Sequence, residues 1–304
     1  MLKYLVIVLD NTSVSYCHYG NNQESPKLIA IENLASGILW AMKENLMVQF
    51  VYPKYELPQE YLELIDSIDH VDIKENSLDA DVTIVNGIGK LSERFDKSSQ
   101  IVLRLNMSEL INNIETIAQY NNLNIVLTDI DKADESLLDA YHIALSSLSE
   151  LLIKRIKSGK MASINIITDR LQLSGMNNCN AGHESITLAP DGNFYVCPGF
   201  YYDGNESIGC PQSGLDLKNS NLYKLDNAPI CRICDAFHCK RCIWLNHKLT
   251  HEVNTPSREQ CLISHYERSA SRQLQESLKE LGILNLGETI PKIDYNDPFE
   301  KLIK

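Results

Sequence analysis

Short apolar runs alternate with segments of helical periodicity through residues 1–170 of this chain. The strand-like runs, short and rich in β-branched residues, are Tyr4–Leu9, Val48–Tyr52, Val82–Val85, Ile101–Leu105, Asn124–Thr128 and Ser163–Thr168, with Val71–Ile73 as a candidate seventh. The intervening helical segments are Ile31–Glu44, Gln59–Ile68, Ser108–Tyr120 and Glu135–Lys157. The alternation predicts βα units around a parallel sheet.

The longest of these helices has predicted ends as well as a predicted core face. Asp134 is placed to cap its first turn, and Gly159 follows its last turn. Its apolar stripe predicts core packing rather than a cofactor site, and His142 beside that stripe is expected to be a packed or interfacial side chain.

Beyond residue 170 the pattern changes to a hairpin, a cysteine-rich stretch and a helix. The runs Ser185–Leu188 and Asn193–Val196 flank an Asp191-Gly192 turn, which predicts a β-hairpin. A charged helix is predicted at His265–Leu281, packed on the cysteine-rich segment. The predicted organisation is thus a βα domain at 1–170, a cysteine-rich domain at 171–282 and a loosely ordered tail at 283–304.

Composition narrows the class of protein. The chain has 304 residues, 44% of them hydrophobic and 22% charged, with a net charge of −12 and a pI near 5.1. An acidic surface without a Lys/Arg cluster argues against nucleic-acid binding. No apolar run approaches the roughly 20 residues that span a bilayer, so no membrane is expected. The first apolar run ends at Asp10 without a signal-peptide cleavage site, which predicts a cytoplasmic protein with reduced thiols.

The candidate chemistry lies in the cysteines. Eight of the nine fall in one stretch and are the predicted metal ligands, namely Cys179, Cys197, Cys210, Cys231, Cys234, Cys239, Cys242 and Cys261. Two thiolates separated by two residues can reach one metal centre, and four can complete a tetrahedral zinc site or hold an iron–sulfur cluster. Eight thiolates suffice for two centres. Buried free cysteines do not explain the paired spacing, and disulfides need an oxidising compartment.

Other polar residues are weaker candidates. His183 and His238 lie near cysteines and could ligate a metal or donate to a cluster sulfur, but solvent-facing turn positions explain them more simply. Asp129, Asp131 and Asp134 follow a predicted strand and could form a carboxylate site, although a solvated loop with a helix cap is the favoured interpretation.

The cysteine order resembles that of a SPASM domain, which follows the barrel in radical SAM peptide maturases. The matching pattern is Cys179, twelve residues, Gly192, four residues, Cys197, then Cys231-x-x-Cys234, Cys239, Cys242 and Cys261. The resemblance implies two auxiliary [4Fe–4S] clusters. It implies that Cys231, Cys234, Cys239 and Cys261 hold one cluster, and that Cys179, Cys197 and Cys242 hold the other, with Cys210 or His183 as a candidate fourth ligand. Two spacings depart from the family, because four residues rather than five precede Cys239 and two rather than three follow it. This leaves zinc as an alternative metal.

The radical SAM cluster motif is absent from the expected loop. After the first strand the chain has Asp10, Val14 and Cys17 where the resemblance implies three cysteines. One thiolate cannot hold that cluster, so we expect no binding of S-adenosylmethionine. Cys17 lies in a loop without a second thiol, and we expect it to stand apart from the metal sites.

A barrel without its cluster motif, followed by a SPASM-like region, resembles the CXXX repeat peptide maturase family. The opening segment to Tyr19 and the Cys179–Cys197 segment carry the likeness. It implies a radical SAM-like partial (βα)6 barrel with a small Cys-rich SPASM-like domain, and a role in maturing a ribosomally synthesised peptide. The implied partners are a radical SAM peptide maturase and a Cys-rich precursor peptide.

Two functions remain open on the sequence. In the first, the chain is a partner or substrate-handling subunit whose clusters accept an electron or bind a peptide thiolate. In the second, it is a zinc-stabilised protein- or peptide-binding module without redox chemistry.

Overall fold

The sheet at the centre of the computed structural model is continuous across the two predicted domains. The structure describes residues 2–21, 23–176 and 178–283. Its strands are β1 Tyr4–Val8, β2 Met47–Val51, β3 His70–Glu75, β4 Val82–Asn86, β5 Gln100–Leu105, β6 Asn122–Leu127, β7 Ser163–Ile164, β8 Ser185–Leu188, β9 Phe194–Tyr195, β10 Gly209–Cys210 and β11 Gly214–Leu215. Its α-helices are α1 Ile31–Lys43, α2 Gln59–Ile65, α3 Ile88–Arg94, α4 Met107–Asn112, α5 Ile114–Ile117, α6 Glu135–Lys157, α7 Asn165–Thr168, α8 Pro198–Tyr202, α9 Ile243–Thr250 and α10 Arg258–Glu280.

Within the described residues the large sheet has nine strands in the order β7-β6-β5-β4-β3-β2-β1-β8-β9. All neighbours from β7 to β8 are parallel, and β9 is antiparallel to β8. The predicted α/β class is therefore confirmed, and the candidate strand at Val71–Ile73 is part of β3. The strand β8, from the region after residue 170, pairs directly with β1, so the hairpin extends the sheet. The domain boundaries stay a prediction.

The last predicted strand of the first region is wrong in its second half. Only Ser163–Ile164 is extended, and Asn165–Thr168 is helical. The Asn165 side chain accepts from the backbone N–H of Ile125 at 2.7 Å and donates to its carbonyl at 2.9 Å, which replaces the backbone ladder. Side-chain bonds of this kind compete with regular strand pairing.

The predicted helix Ser108–Tyr120 is interrupted. Asn113, with φ −130°, separates α4 from α5, and its side chain donates to the Glu109 carbonyl at 2.8 Å. A capping box formed by Asn106 and Glu109 starts α4. The helix that the periodicity predicts is therefore interrupted at Asn113, where the side-chain amide bonds the backbone.

The long helix α6 has its predicted ends. The Asp134 side chain accepts from the backbone N–H of Leu137 at 2.8 Å, and Gly159 has φ +82° just beyond the helix. His142 stacks on Tyr266 with ring centroids 4.4 Å apart, as a packed side chain should.

The helix predicted at His265–Leu281 begins earlier, at Arg258, and is capped by Ser257. It packs along α6, where the Tyr141 hydroxyl donates to Glu267 at 2.8 Å. No helix in the described part of the chain is long and apolar enough to cross a membrane. The predicted tail lies, from residue 284 onward, outside the described residues.

Candidate metal centres

The loop after β1 is pinned over the carboxyl ends of the neighbouring strands. The guanidinium of Arg104, on β5, donates to the carbonyls of Cys17 at 3.0 Å and Tyr19 at 2.8 Å. The ring of His18 bonds the Leu127 carbonyl, at the end of β6, at 2.9 Å. These bonds fix the position of Cys17 even though the loop has no regular secondary structure.

Asp10 and Val14, which stand where the resemblance implies cysteines, stabilise the loop after β1. The Asp10 carboxylate accepts from the backbone N–H of Thr12 at 2.7 Å, and the Ser13 hydroxyl donates to the Val51 carbonyl at 2.8 Å. Val14 is buried among Val8, Val51 and other β-branched side chains. Asp10 and Val14 are thus structural residues.

Cys17 does not stand apart from the other cysteines, and that expectation is wrong. It lines the same cavity as Cys179 and Cys242, and it interacts electrostatically with Cys242, Cys179 and Cys197. We call Cys17, Cys179, Cys197 and Cys242 the first thiol group. Residues 17 and 179 are far apart in sequence, and in the folded chain both line one cavity.

The thiols of this group are electrostatically linked. Interaction with the Cys242 thiol lowers the pKa of Cys17, and interaction with the Cys17 thiol, together with burial, raises the pKa of Cys242. Burial raises the pKa of Cys197, and the charge of Cys179 raises it further. Loss of solvent around its sulfur raises the pKa of Cys179, although this residue lies at an exposed rim. Several of these thiols could be ionised together only if a cation or a metal compensated their negative charge.

Local backbone turns direct N–H groups at the sulfurs. Cys197 and Cys242 are the N-cap residues of α8 and α9, and the backbone N–H groups of Phe200 and Gly199 partly offset the effect of burial on the pKa of Cys197. Donors at a helix N-terminus stabilise a thiolate. The hairpin between the first two cysteines has the predicted Asp191-Gly192 turn, in which Gly192 has φ +84°.

The two sequence candidates for a fourth ligand lie elsewhere. Cys210 is on the β10–β11 hairpin, and its sulfur hydrogen bonds the Ser213 hydroxyl at 3.1 Å. His183 lies in the charged surroundings of Lys3, Glu184 and Lys224. The structure brings neither into contact with the first thiol group in the described residues.

Cys231, Cys234, Cys239 and Cys261 form the second thiol group. Cys231 begins a 3-10 turn, and its charge and that of Cys234 interact with the charge of Cys239. Burial, followed by the charge of Cys239, raises the pKa of Cys231 to about 12, and burial raises the pKa of Cys234 to about 11. The backbone N–H of Ala236 bonds the Cys234 sulfur at 3.5 Å.

Helix α10 packs against the second thiol group. Its Ser264 side chain lines the same cavity as Cys239, and the His265 ring lies 3.8 Å from the Cys234 sulfur. Cys261 lies three and four residues before these two on the same helix, so it shares their face. His238 is buried with its Nε2 atom 3.1 Å from Glu267, which is a packing role for that nitrogen rather than ligation.

Arg241 lies between the two thiol groups. It is 2% exposed, and its guanidinium donates to the Tyr223 carbonyl at 3.1 Å and to the Asn254 side chain. Burial lowers its pKa, while the charges of Cys231, Cys179 and Cys239 raise it. These thiols come from both groups, so one buried cation faces both. Its Nε atom has no hydrogen-bond partner among the described residues.

A second buried charge cluster supports the loop that holds Cys234. Asp235, which is fully buried, accepts from Arg170, Arg268 and Arg272 at 2.8 Å each. Burial raises the pKa of this carboxyl, but the hydrogen bond and charge of Arg268, with the charges of the other two, outweigh it and lower the pKa to about 2. The cluster ties the cysteine loop to α10 and to the segment after α7.

A cavity of about 290 Å³ adjoins the thiols. Its lining includes Cys17, Cys179 and Cys242 from the first group and Cys239 from the second. As the side chains lie, no three His, Cys, Asp or Glu residues of the described ranges could hold a metal ion. The groups are therefore neighbouring thiols without the geometry of a formed site. Their chemistry suits a metal–sulfur centre, since thiolates, N–H donors and a buried guanidinium converge there.

The acidic patch has the structural role that the sequence favoured. Asp129 accepts from the backbone N–H of Met107 at 3.0 Å, and Asp134 caps α6. Asp131 lies 3.8 Å from the Lys248 ammonium. Sequence reasoning missed the placement of Cys17 and the role of Arg241. The alignment of Cys17 with the third cysteine that the resemblance implies, and the position of Arg241 between two cysteines, were the signals that could have found them. Nothing in the sequence marked the Asp235 cluster.

Comparison with solved structures identifies the fold. Native anSMEcpe with bound AdoMet matches at a TM-score of 0.58 and 14% identity, covering 91% of this chain and 100% of that chain. The same enzyme with AdoMet and Cp18Cys peptide matches at 0.58 and 14%, covering 92% and 100%, and with Kp18Cys peptide at 0.56 and 12%, covering 91% and 99%. That enzyme is an anaerobic sulfatase-maturating radical SAM enzyme with a SPASM domain. This chain has a radical SAM-like α/β fold. No family model and no curated protein sequence matches it.

Proposed function

We propose that this chain is a SPASM-like metal-cluster protein that takes part in the maturation of a ribosomally synthesised, Cys-containing peptide. In this proposal it acts as the partner or substrate-handling subunit of a radical SAM enzyme, in the manner implied by the likeness to CXXX repeat peptide maturases. The observation that supports it most is the pair of thiol groups on either side of Arg241 in a radical SAM-like fold.

The donor sets fit two [4Fe–4S] clusters in charge and number. Cys231, Cys234, Cys239 and Cys261 would hold one cluster, and the first thiol group supplies ligands for the other. When bound, such clusters supply a one-electron acceptor or donor. The guanidinium of Arg241 would stabilise the thiolates of both groups, and the backbone N–H groups of Ala236 and Arg241 orient the sulfurs of Cys234 and Cys239.

The partner role rests on the loop after β1 and on surface charge. Asp10 and Val14 stabilise that loop and supply no thiolate, so the radical chemistry is assigned to a second protein. A net charge of −12 favours contact with a basic segment of a precursor peptide. The fold likeness adds support, because structures of the neighbouring enzyme hold Cp18Cys and Kp18Cys peptides.

Anaerobic purification followed by iron, sulfide and zinc analysis tests the metal, and a tagged pull-down from the native host tests the partnership. We expect a brown protein with iron and acid-labile sulfide that brings down a radical SAM enzyme or a Cys-containing peptide. A colourless protein with zinc would favour the peptide-binding module without redox chemistry. Recovery of neither partner would contradict the maturation role.

A further inference from the structure

We propose that Cys17 is the fourth ligand of the metal centre formed with Cys179, Cys197 and Cys242. The loop after β1 and the cysteine-rich segment would then share one site. This inference rests on the metal-cluster part of the proposed function, and it changes the ligand set that the sequence suggested.

Proximity carries the assignment. Cys17, Cys179 and Cys242 line the same cavity, and Cys17 and Cys242 are close enough that each perturbs the pKa of the other. Cys197 packs beside them against the same hydrophobic core and interacts with both Cys179 and Cys17. Three thiols from three separate segments thus line one cavity, and Cys197 interacts with two of them.

The position of Cys17 is fixed from outside its own loop. Arg104 and His18 hold the backbone on either side of its thiol through bonds to or from β5 and β6. Tyr16 is half-buried against the same core, and Tyr19 next to it is 3% exposed. A thiol that only filled space would not need this framework of bonds around it.

The alternatives lack such contacts. The sulfur of Cys210 bonds Ser213 on a surface hairpin, and His183 lies among Lys3, Glu184 and Lys224. Neither residue lines the cavity that Cys17 shares with Cys179 and Cys242.

Four thiolates close the coordination of this centre, because no position remains for a peptide thiolate. The centre then acts as a staple or an electron carrier. Metal binding displaces the thiol protons to solvent and links residue 17 to residue 242, so loss of the metal would loosen the loop over the sheet edge.

The test compares two single-cysteine variants of the full chain, Cys17→Ser and Cys210→Ser. After anaerobic reconstitution with iron and sulfide, we expect Cys17→Ser to lose up to one of two centres, about half of the iron and sulfide. Cys210→Ser should keep the wild-type content. Unchanged content in Cys17→Ser, or a loss confined to Cys210→Ser, overturns the assignment.

A measurement on the wild type covers the case in which Cys17→Ser fails to fold. The loaded protein is treated with iodoacetamide, and the alkylated cysteines are mapped by mass spectrometry before and after chelation. Cys17 should be protected until the metal is removed, whereas Cys210 should react in both states. Alkylation of Cys17 in protein that holds two metal centres would overturn the assignment of Cys17 as a ligand, while the proposed cluster function would stand. A wild type that binds no metal overturns the proposed cluster function as well. If the protein contains zinc and Cys17 is protected from alkylation, the proposed ligand set is supported, but the metal centre is not an iron–sulfur cluster.

Discussion

Arg241 is a residue whose role follows from its surroundings and not from its local sequence. Its side chain is buried, its hydrogen-bond partners in the described residues are neutral oxygens, and thiols from both groups lie within electrostatic reach. A buried cation is costly without a compensating anion. The thiolates of the two groups can supply the negative charge that compensates the buried guanidinium.

Replacing Arg241 with Gln should therefore weaken metal binding. We expect metal affinity to fall about 10- to 100-fold, as for other residues that orient or stabilise metal ligands. Arg258→Gln is the matched control, since Arg258 pairs with the exposed Glu135 on the surface. Competition with a chelator measures both variants, and equal affinities would contradict the role of Arg241.

Asp235 should make the fold sensitive to acid. Its pKa in the folded protein is about 2, below the ordinary 3.8, so its stabilising effect is complete above the ordinary value and is lost as the pH falls through 2. Asp235→Asn should cost about 3–5 kcal/mol in the free energy of unfolding, because three guanidinium groups lose their carboxylate.

Urea unfolding at a series of pH values tests this. Between pH 4 and 2 the wild type should lose stability more steeply than Asp235→Asn, in which the carboxylate is absent. Asp226→Asn, at an exposed position, should change stability by less than about 0.5 kcal/mol. Parallel pH profiles for wild type and Asp235→Asn would show that the cluster contributes nothing.

At the scale of elements, two short helices bring cysteines together. Cys197 caps α8 and Cys242 caps α9, and the helices touch where Gly199 meets the Trp244 ring. A Cβ atom at Gly199 would lie 2.6 Å from that ring, whose indole N–H is held by Asp203 at 2.7 Å. The absence of a side chain at residue 199 therefore sets the spacing between the two thiols.

Gly199→Ala should push the helices apart. We expect a loss of about 1–3 kcal/mol in unfolding free energy from overpacking, together with lower metal content. Gly89→Ala is the control, because Gly89 is helical and a Cβ atom there would meet nothing within 4 Å, so the change should be neutral or stabilising by up to about 1 kcal/mol. Denaturant unfolding and metal analysis measure both. Equal stability of the two variants would mean that the space beside the Trp244 ring can accept a Cβ atom at residue 199.

At the scale of the whole molecule, a radical SAM-like sheet carries a loop that holds one thiol. The carboxyl ends of the parallel strands, where such folds place their reactive groups, meet the loop after β1 and the cysteine-rich segment. Asp10 and Val14 complete the loop through hydrogen bonds and packing.

We therefore expect no cleavage of S-adenosylmethionine by this chain alone. Purified, reconstituted protein under reducing conditions should release no 5′-deoxyadenosine, measured by chromatography and mass spectrometry, whereas an active radical SAM enzyme assayed alongside should release it. Production of 5′-deoxyadenosine by this chain would contradict the partner role.

The sequence by itself determined the α/β class, the positions of most strands, and both ends of α6, because hydrophobic period and capping act locally. It also determined the hairpin turn at Gly192 and the stretch in which eight cysteines are clustered. It failed at Asn113 and Asn165, where side-chain amides replaced regular backbone bonding.

Only the tertiary structure decided which thiols are neighbours. The fold places Cys17, Cys179 and Cys242 around one cavity and leaves Cys210 on a separate hairpin, and neither result follows from spacing along the chain. The same is true of Arg241 and of Asp235, since their partners come from distant segments. Contacts between residues far apart in sequence depend on the packing of the whole chain, which local pattern does not specify.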